Sequence, residues 1–100
     1  MERADIQLDK IEKQGCFGSI ELIILKQSEK RSPESNLLIF NAESGVLLNR
    51  PNPPVSSKGQ WDGYVNFYTK SGKLYVGSWS GYTYEINENT GQLINGIFTK

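Results

Sequence analysis

"LYVGSWSGYTYEINENTGQL" (residues 74–93) decides the fold class. Leu74–Val76 and Tyr82–Ile86 are short runs rich in aromatic and β-branched residues. Small polar residues with a glycine follow each run. Strands joined by tight turns have this composition, because glycine reaches the positive-φ positions that hairpin turns require. Working outward, "WDGYVNFYT" (61–69) reads as a strand, "KSG" (70–72) as a turn and "QLINGIFTK" (92–100) as the last strand. The second half is therefore a meander.

The first half follows the same rules. "CFGSIELIILKQ" (16–27) alternates Ile20, Leu22 and Ile24 on one face with Ile23 and Leu25 on the other. A strand that is apolar on both faces belongs in the centre of a sheet. "LLIFN" (37–41), the turn "AESG" and "VLLN" (46–49) form a hairpin. "RPNPPVSSKGQ" (50–60) holds three prolines and reads as a loop. Residues 1–14 are read as a strand, with "KQG" turning into the next element. No stretch reads as helical. The expectation is one all-β domain over residues 1–100, an antiparallel curved meander or small sandwich of about seven strands.

"FNAESGVLLN" (40–49) aligns with "INENTGQLIN" (86–95), 46 residues later. Each copy has Asn leading a turn that ends in Ser-Gly or Thr-Gly. The period is near that of a propeller blade, but two copies are few for a repeat architecture. The preferred reading is one good hairpin turn used twice.

Composition narrows function by exclusion. Eleven basic residues balance eleven acidic ones, which gives no net charge to draw a polyphosphate or an anionic membrane. Histidine is absent, so no Ser-His or Cys-His nucleophile can form. Cys16 is the sole cysteine and reads as a small, partly buried hydrophobe. A lone thiol and an opening "MERADIQLDK" without an apolar run suggest a cytoplasmic protein with no leader. There is no phosphate loop and no zinc spacing. The carboxylates Asp62, Glu85 and Glu88 read as surface acids rather than a glycosidase pair. The expectation is a non-enzyme with no cofactor and no metal.

Aromatic residues carry the positive signal. Nine of the eleven lie between Trp61 and Phe98, where charge is sparse. Strict alternation puts Val65, Phe67, Leu74, Val76, Tyr84 and Ile86 on the core side. It puts Tyr64, Tyr68 and Tyr75 on the other, and Trp79 in a turn. Surface rich in Tyr and Trp and poor in charge has the make-up of protein interfaces.

"KLYVGSWSGYTYEINENTGQLINGIFTK" (73–100) resembles the C-terminal ends of small immunity proteins of bacterial contact-dependent growth inhibition and related polymorphic toxin systems. The same stretch is similar to a strand pair of pyrroloquinoline-quinone-type propeller repeats. The first resemblance implies a cytosolic, non-catalytic antitoxin. It would form a heterodimer with a cognate toxin domain, often a nuclease, and block its active site, without touching nucleic acid or membrane. The expected contact residues are Trp61, Asp62, Tyr64, Trp79, Tyr82, Glu85 and Glu88, with the acids meeting a basic cleft. The alternatives are a carbohydrate-binding β-module and a subunit of a propeller-like homo-oligomer.

Overall fold

Side chains that are apolar on both faces of "SIELIIL" need a layer on each side, and the fold provides two. The computed structural model describes residues 2–26, 35–52, 63–79 and 81–98. Eight strands lie among them: β1 Ile11–Phe17, β2 Ile20–Leu25, β3 Leu37–Asn41, β4 Leu47–Asn49, β5 Tyr64–Lys70, β6 Lys73–Ser78, β7 Tyr82–Ile86 and β8 Leu93–Phe98. They form two four-stranded antiparallel sheets, β1-β2-β3-β4 and β5-β6-β7-β8. The all-β expectation holds, with eight strands rather than seven. The described residues contain no α-helix, only short 3₁₀ turns at Arg3–Asp5 and Leu8–Lys10.

The inner faces of the sheets share one core. Ile20, Leu22, Ile24, Leu37 and Ile39 from the first sheet meet Tyr64, Phe67, Leu74, Val76 and Ile86 from the second. Phe17 packs edge-on to Phe67 at 5.5 Å between centroids. Lys13 spans the layers, with its ammonium 4.8 Å from the Phe67 ring centre and 3.0 Å from the Phe67 carbonyl oxygen. The buried Asn36 amide staples the layers at the other end. Its Oδ1 accepts from the Tyr64 N–H at 3.0 Å and its Nδ2 donates to the Tyr64 carbonyl at 2.8 Å.

A second, smaller core lies on the outer face of the first sheet, where Ile23, Leu38 and Phe40 are fully buried. Ile6, Ile11, Leu25 and Leu47 pack against them. The N-terminal segment 2–10 crosses this face as a strap. The Arg3 N–H donates to the Gly45 carbonyl at 2.8 Å, and Glu2 forms an isolated bridge with Val46. The Arg3 guanidinium meets Glu21 at 2.9 Å, and Gln14 donates to the same carboxylate.

Four local expectations need correction. Residues 2–10 form the strap and not a strand. "KQG" lies inside β1, and the chain turns instead at Gly18, where φ is +58°. Cys16 is exposed, because the residues directly across from it in β2 put it on the Glu21 side, away from the shared core. Tyr64 and Val65 exchange roles: a β-bulge between Tyr64 and Asn66 inserts one residue, so Tyr64 turns inward (2% exposed) and Val65 outward (41%).

The repeated turn is duplicated bond for bond. Asn41 Oδ1 accepts from the N–H of Glu43 and Ser44, and Asn87 Oδ1 accepts from Asn89 and Thr90. The Gly45 N–H returns to the Asn41 carbonyl at 2.8 Å, and the Gly91 N–H to that of Asn87 at 2.8 Å. The two glycines have φ of +76° and +75°. The likeness runs past the turn, since in both sheets it joins the third and fourth strands of a four-strand meander. More than a hairpin is used twice: the sheets are two copies of one unit.

Matching turn on turn relates Leu38 to Tyr84, Ile39 to Glu85 and Phe40 to Ile86. Through the ladders, Leu22 then corresponds to Tyr75 and Ile23 to Val76. The outer face of the first sheet is thus equivalent to the inner face of the second. The units stack head to tail and not face to face.

Candidate partner-binding surface

The outer face of the second sheet is built by the β5–β6 hairpin. Its turn, Ser71–Gly72, sets the register Lys70↔Lys73, Thr69↔Leu74 and Tyr68↔Tyr75. Tyr68 and Tyr75 therefore stand directly opposite each other, and their rings stack 5.6 Å apart at 28°. Tyr68 is 40% exposed. Next along the same face, Tyr75 pairs with Glu85 on β7, and Glu85 with Ile94 on β8. Glu85 lies 3.8 Å from the exposed Lys73 ammonium. The face thus has two rings on its β5–β6 side and an ion pair beside them.

At the far end of β6, Trp79 is 62% exposed. Its N–H donates to the Gly63 carbonyl at 2.8 Å, which fixes the turn backbone against the start of β5. Trp79 and the outward-turned Val65 line a shallow groove between the sheets, opposite Leu25 and Glu12. An exposed indole beside an exposed valine is the other apolar feature of this half of the molecule.

The predicted site residues divide among these places. Trp79 is on the surface as expected. Tyr82 is half-buried, its ring 6.5 Å from that of Tyr84. Glu85 is on the outer face beside Tyr75. Glu88 sits in the β7–β8 turn, where its carbonyl accepts from the Ser19 hydroxyl at 2.9 Å. Glu85 and Glu88 line one shallow groove, with Asn87 between them. Tyr64 belongs to the core; its hydroxyl donates to the Asn52 carbonyl at 2.8 Å, so its ring is not a contact. Trp61 and Asp62 lie outside the described residues. Trp79 and Glu88 stand at opposite ends of β7, roughly 20 Å apart at the usual rise per strand residue. The predicted set is thus two groups and not one patch.

Sequence reasoning put Tyr68 and Tyr75 on the outer face but left them out of the site. The signal was available: each lies three residues outward from the Ser71–Gly72 turn, so a two-residue hairpin places them opposite. Val65 was missed because a bulge leaves no mark on strict alternation.

The described residues contain no group of three His, Cys, Asp or Glu that could hold a metal. No helix among them is long and apolar enough to cross a membrane. Residues 4–98 match a family model described as Domain of unknown function (DUF7957). The chain belongs to the DUF7957 family. The match takes in all eight described strands and the strap from Ala4 onward. No curated protein and no solved structure matches the chain.

Proposed function

We propose that this DUF7957 chain is a non-catalytic binder that works as an immunity protein, occluding a cognate toxin domain, a nuclease, in the cytoplasm. The observation that carries the binding half of this reading is the Tyr68–Tyr75 stack on the outer face of the second sheet. Stacked rings offer rigid apolar area with polar hydroxyl tips, and tyrosine is enriched among interface hot spots. Trp79 extends the apolar contact at one end of the sheet. Glu85 and Glu88 supply negative charge at the other, suited to a basic cleft. The toxin half rests on the resemblance of residues 73–100. Its chemistry fits a chain without histidine, whose work would be burial and charge matching.

The test is co-expression with the product of the adjacent reading frame, followed by growth and co-purification. Rescue of growth through a 1:1 complex is the expected result. Given that complex, Tyr68→Ala and Tyr75→Ala should each weaken it about 30-fold, the effect of a hot spot worth ~2 kcal/mol. No toxicity and no complex removes the immunity reading. A complex indifferent to both tyrosines removes this face.

A further inference from the structure

Head-to-tail stacking gives each unit two unlike faces. The inner face of the first unit is buried against the second unit. The face equivalent to it on the second unit is the outer one, bearing Tyr68, Tyr75 and Glu85. At the opposite end, the outer face of the first unit is equivalent to the inner face of the second, so it has the side chains of a buried face. Ile23, Leu38 and Phe40 there are fully buried, and the strap is what lies across them.

The strap takes the place of a preceding unit. On the second unit, Gly91 is approached by the first sheet: a Cβ there would lie 2.9 Å from Ile39 Cγ2 and 3.5 Å from Leu48 Cβ. On the first unit, the equivalent Gly45 is approached by the strap: a Cβ there would lie 3.5 Å from Arg3 Cβ. Arg3 thus fills, on the first unit, the position that β3 and β4 fill on the second. The strap also carries the cation for Glu21, whose ladder equivalent in the second unit is the buried Leu74.

We propose that residues 2–10 are a removable end cap, and that the sheet face beneath them is a docking surface for a second copy of this chain. The incoming surface is the outer face of the other copy's second sheet, which repeats the interface already present between the two units. Charge favours this occupant over a symmetric pairing of two uncapped faces. Once Arg3 leaves, Glu21 needs a cation, and a symmetric pairing would bring two Glu21 carboxylates into one contact. The outer face of the second sheet carries Lys73, equivalent through the ladder to Ile20. Ile20 and Leu74 share the existing inter-unit core, so the repeated interface brings Lys73 of one copy to the region of Glu21 of the next.

The same face explains why the cap holds at rest. Where the first unit presents Ile20, Leu37 and Ile39, the second presents Lys73, Thr83 and Glu85, which water solvates well. A face of about four strands by five residues covers ~300 Å² at the usual strand spacing. That is small beside the ~800 Å² per partner of a stable complex. Association is therefore weak, concentration-dependent and exclusive with a foreign partner on Tyr68 and Tyr75.

The experiment uses the full chain with Ile6→Ala, a mild loosening of the strap that leaves Arg3 and Glu21 in place. The Lys26 N–H donates to the Lys10 carbonyl at the end of the strap at 2.8 Å, so hydrogen exchange at the Arg3 and Lys26 amides reads the strap, and sedimentation over a concentration series reads assembly. The expected result is at least tenfold faster exchange at those amides, with β2 and β3 unchanged, and assembly beyond dimer as concentration rises. Adding Lys73→Glu should abolish the assembly by setting like charge against Glu21. Unchanged strap exchange overturns the cap. Faster exchange with a monomer at every concentration overturns the docking surface. Assembly that stops at dimer and ignores Lys73→Glu overturns the head-to-tail occupant. None of these readouts involves a toxin, so they stand or fall apart from the immunity reading.

Discussion

Gly91 shows how much one residue position can demand. Its φ is +75°, and a Cβ would lie 2.9 Å from Ile39 Cγ2 across the sheets. Gly72 has nearly the same φ, +77°, but nothing within 4 Å. Alanine at Gly72 should cost about 1 kcal/mol, the left-handed backbone term alone. Alanine at Gly91 adds overpacking between layers and should cost about 3 kcal/mol in total. Urea denaturation of the two variants measures the difference; equal losses would mean that the layers are not closely packed there. Asn36 makes a similar demand through polarity. Asn36→Ala removes the two side-chain hydrogen bonds to the buried Tyr64 backbone and should cost about 2–4 kcal/mol. Cys16, exposed on β1, should react with a thiol reagent in the native state at the rate of an unfolded control. Protection by more than about tenfold would place it under cover.

At the scale of elements, the repeated turn is a self-contained device. Asn41 and Asn87 each hold two backbone N–H groups with one side-chain oxygen. The Asn-x-x-x-Gly spacing was therefore readable as a turn from residue chemistry alone. Asn87→Ala and Asn41→Ala should each cost about 1 kcal/mol, within error of one another, as equivalent turns require. A much larger loss at one of them would show that its turn is coupled to the far sheet. The strap was not readable in this way. Ile6 and Leu8 alternate like a strand, yet Leu8 is 78% exposed and Ile6 packs against the cluster of Ile23, Leu38 and Phe40. A nine-residue segment with two 3₁₀ turns takes its shape from the sheet it covers.

At the scale of the whole molecule, the continuous core from β2 and β3 through to β5, β6 and β7 ties the units together. Neither sheet retains a covered inner face without the other. Unfolding should therefore be one transition, with tryptophan fluorescence of the second sheet and far-UV circular dichroism giving coincident urea midpoints. Separate midpoints would mean that the units fold independently. The head-to-tail arrangement also makes the ends unlike: one is closed by the strap, the other by polar replacement of core positions.

The sequence by itself determined the fold class, the strands from β3 onward with the turns that join β3 to β4, β5 to β6 and β7 to β8, and the duplicated Asn-to-Gly motif. These follow from local physics: side-chain alternation, β-branched content and the freedom of glycine. It also placed Tyr68 and Tyr75 on the outer face, since no bulge interrupts the alternation between them and the turn. Only the tertiary structure decided that Tyr64 is core and Val65 surface, because a bulge shifts parity without changing composition. Only it decided that the repeat extends to whole sheets, which face the same way. Strand pairing and stacking join residues far apart in the chain, and neither alternation nor propensity encodes which face of one sheet meets which face of the next.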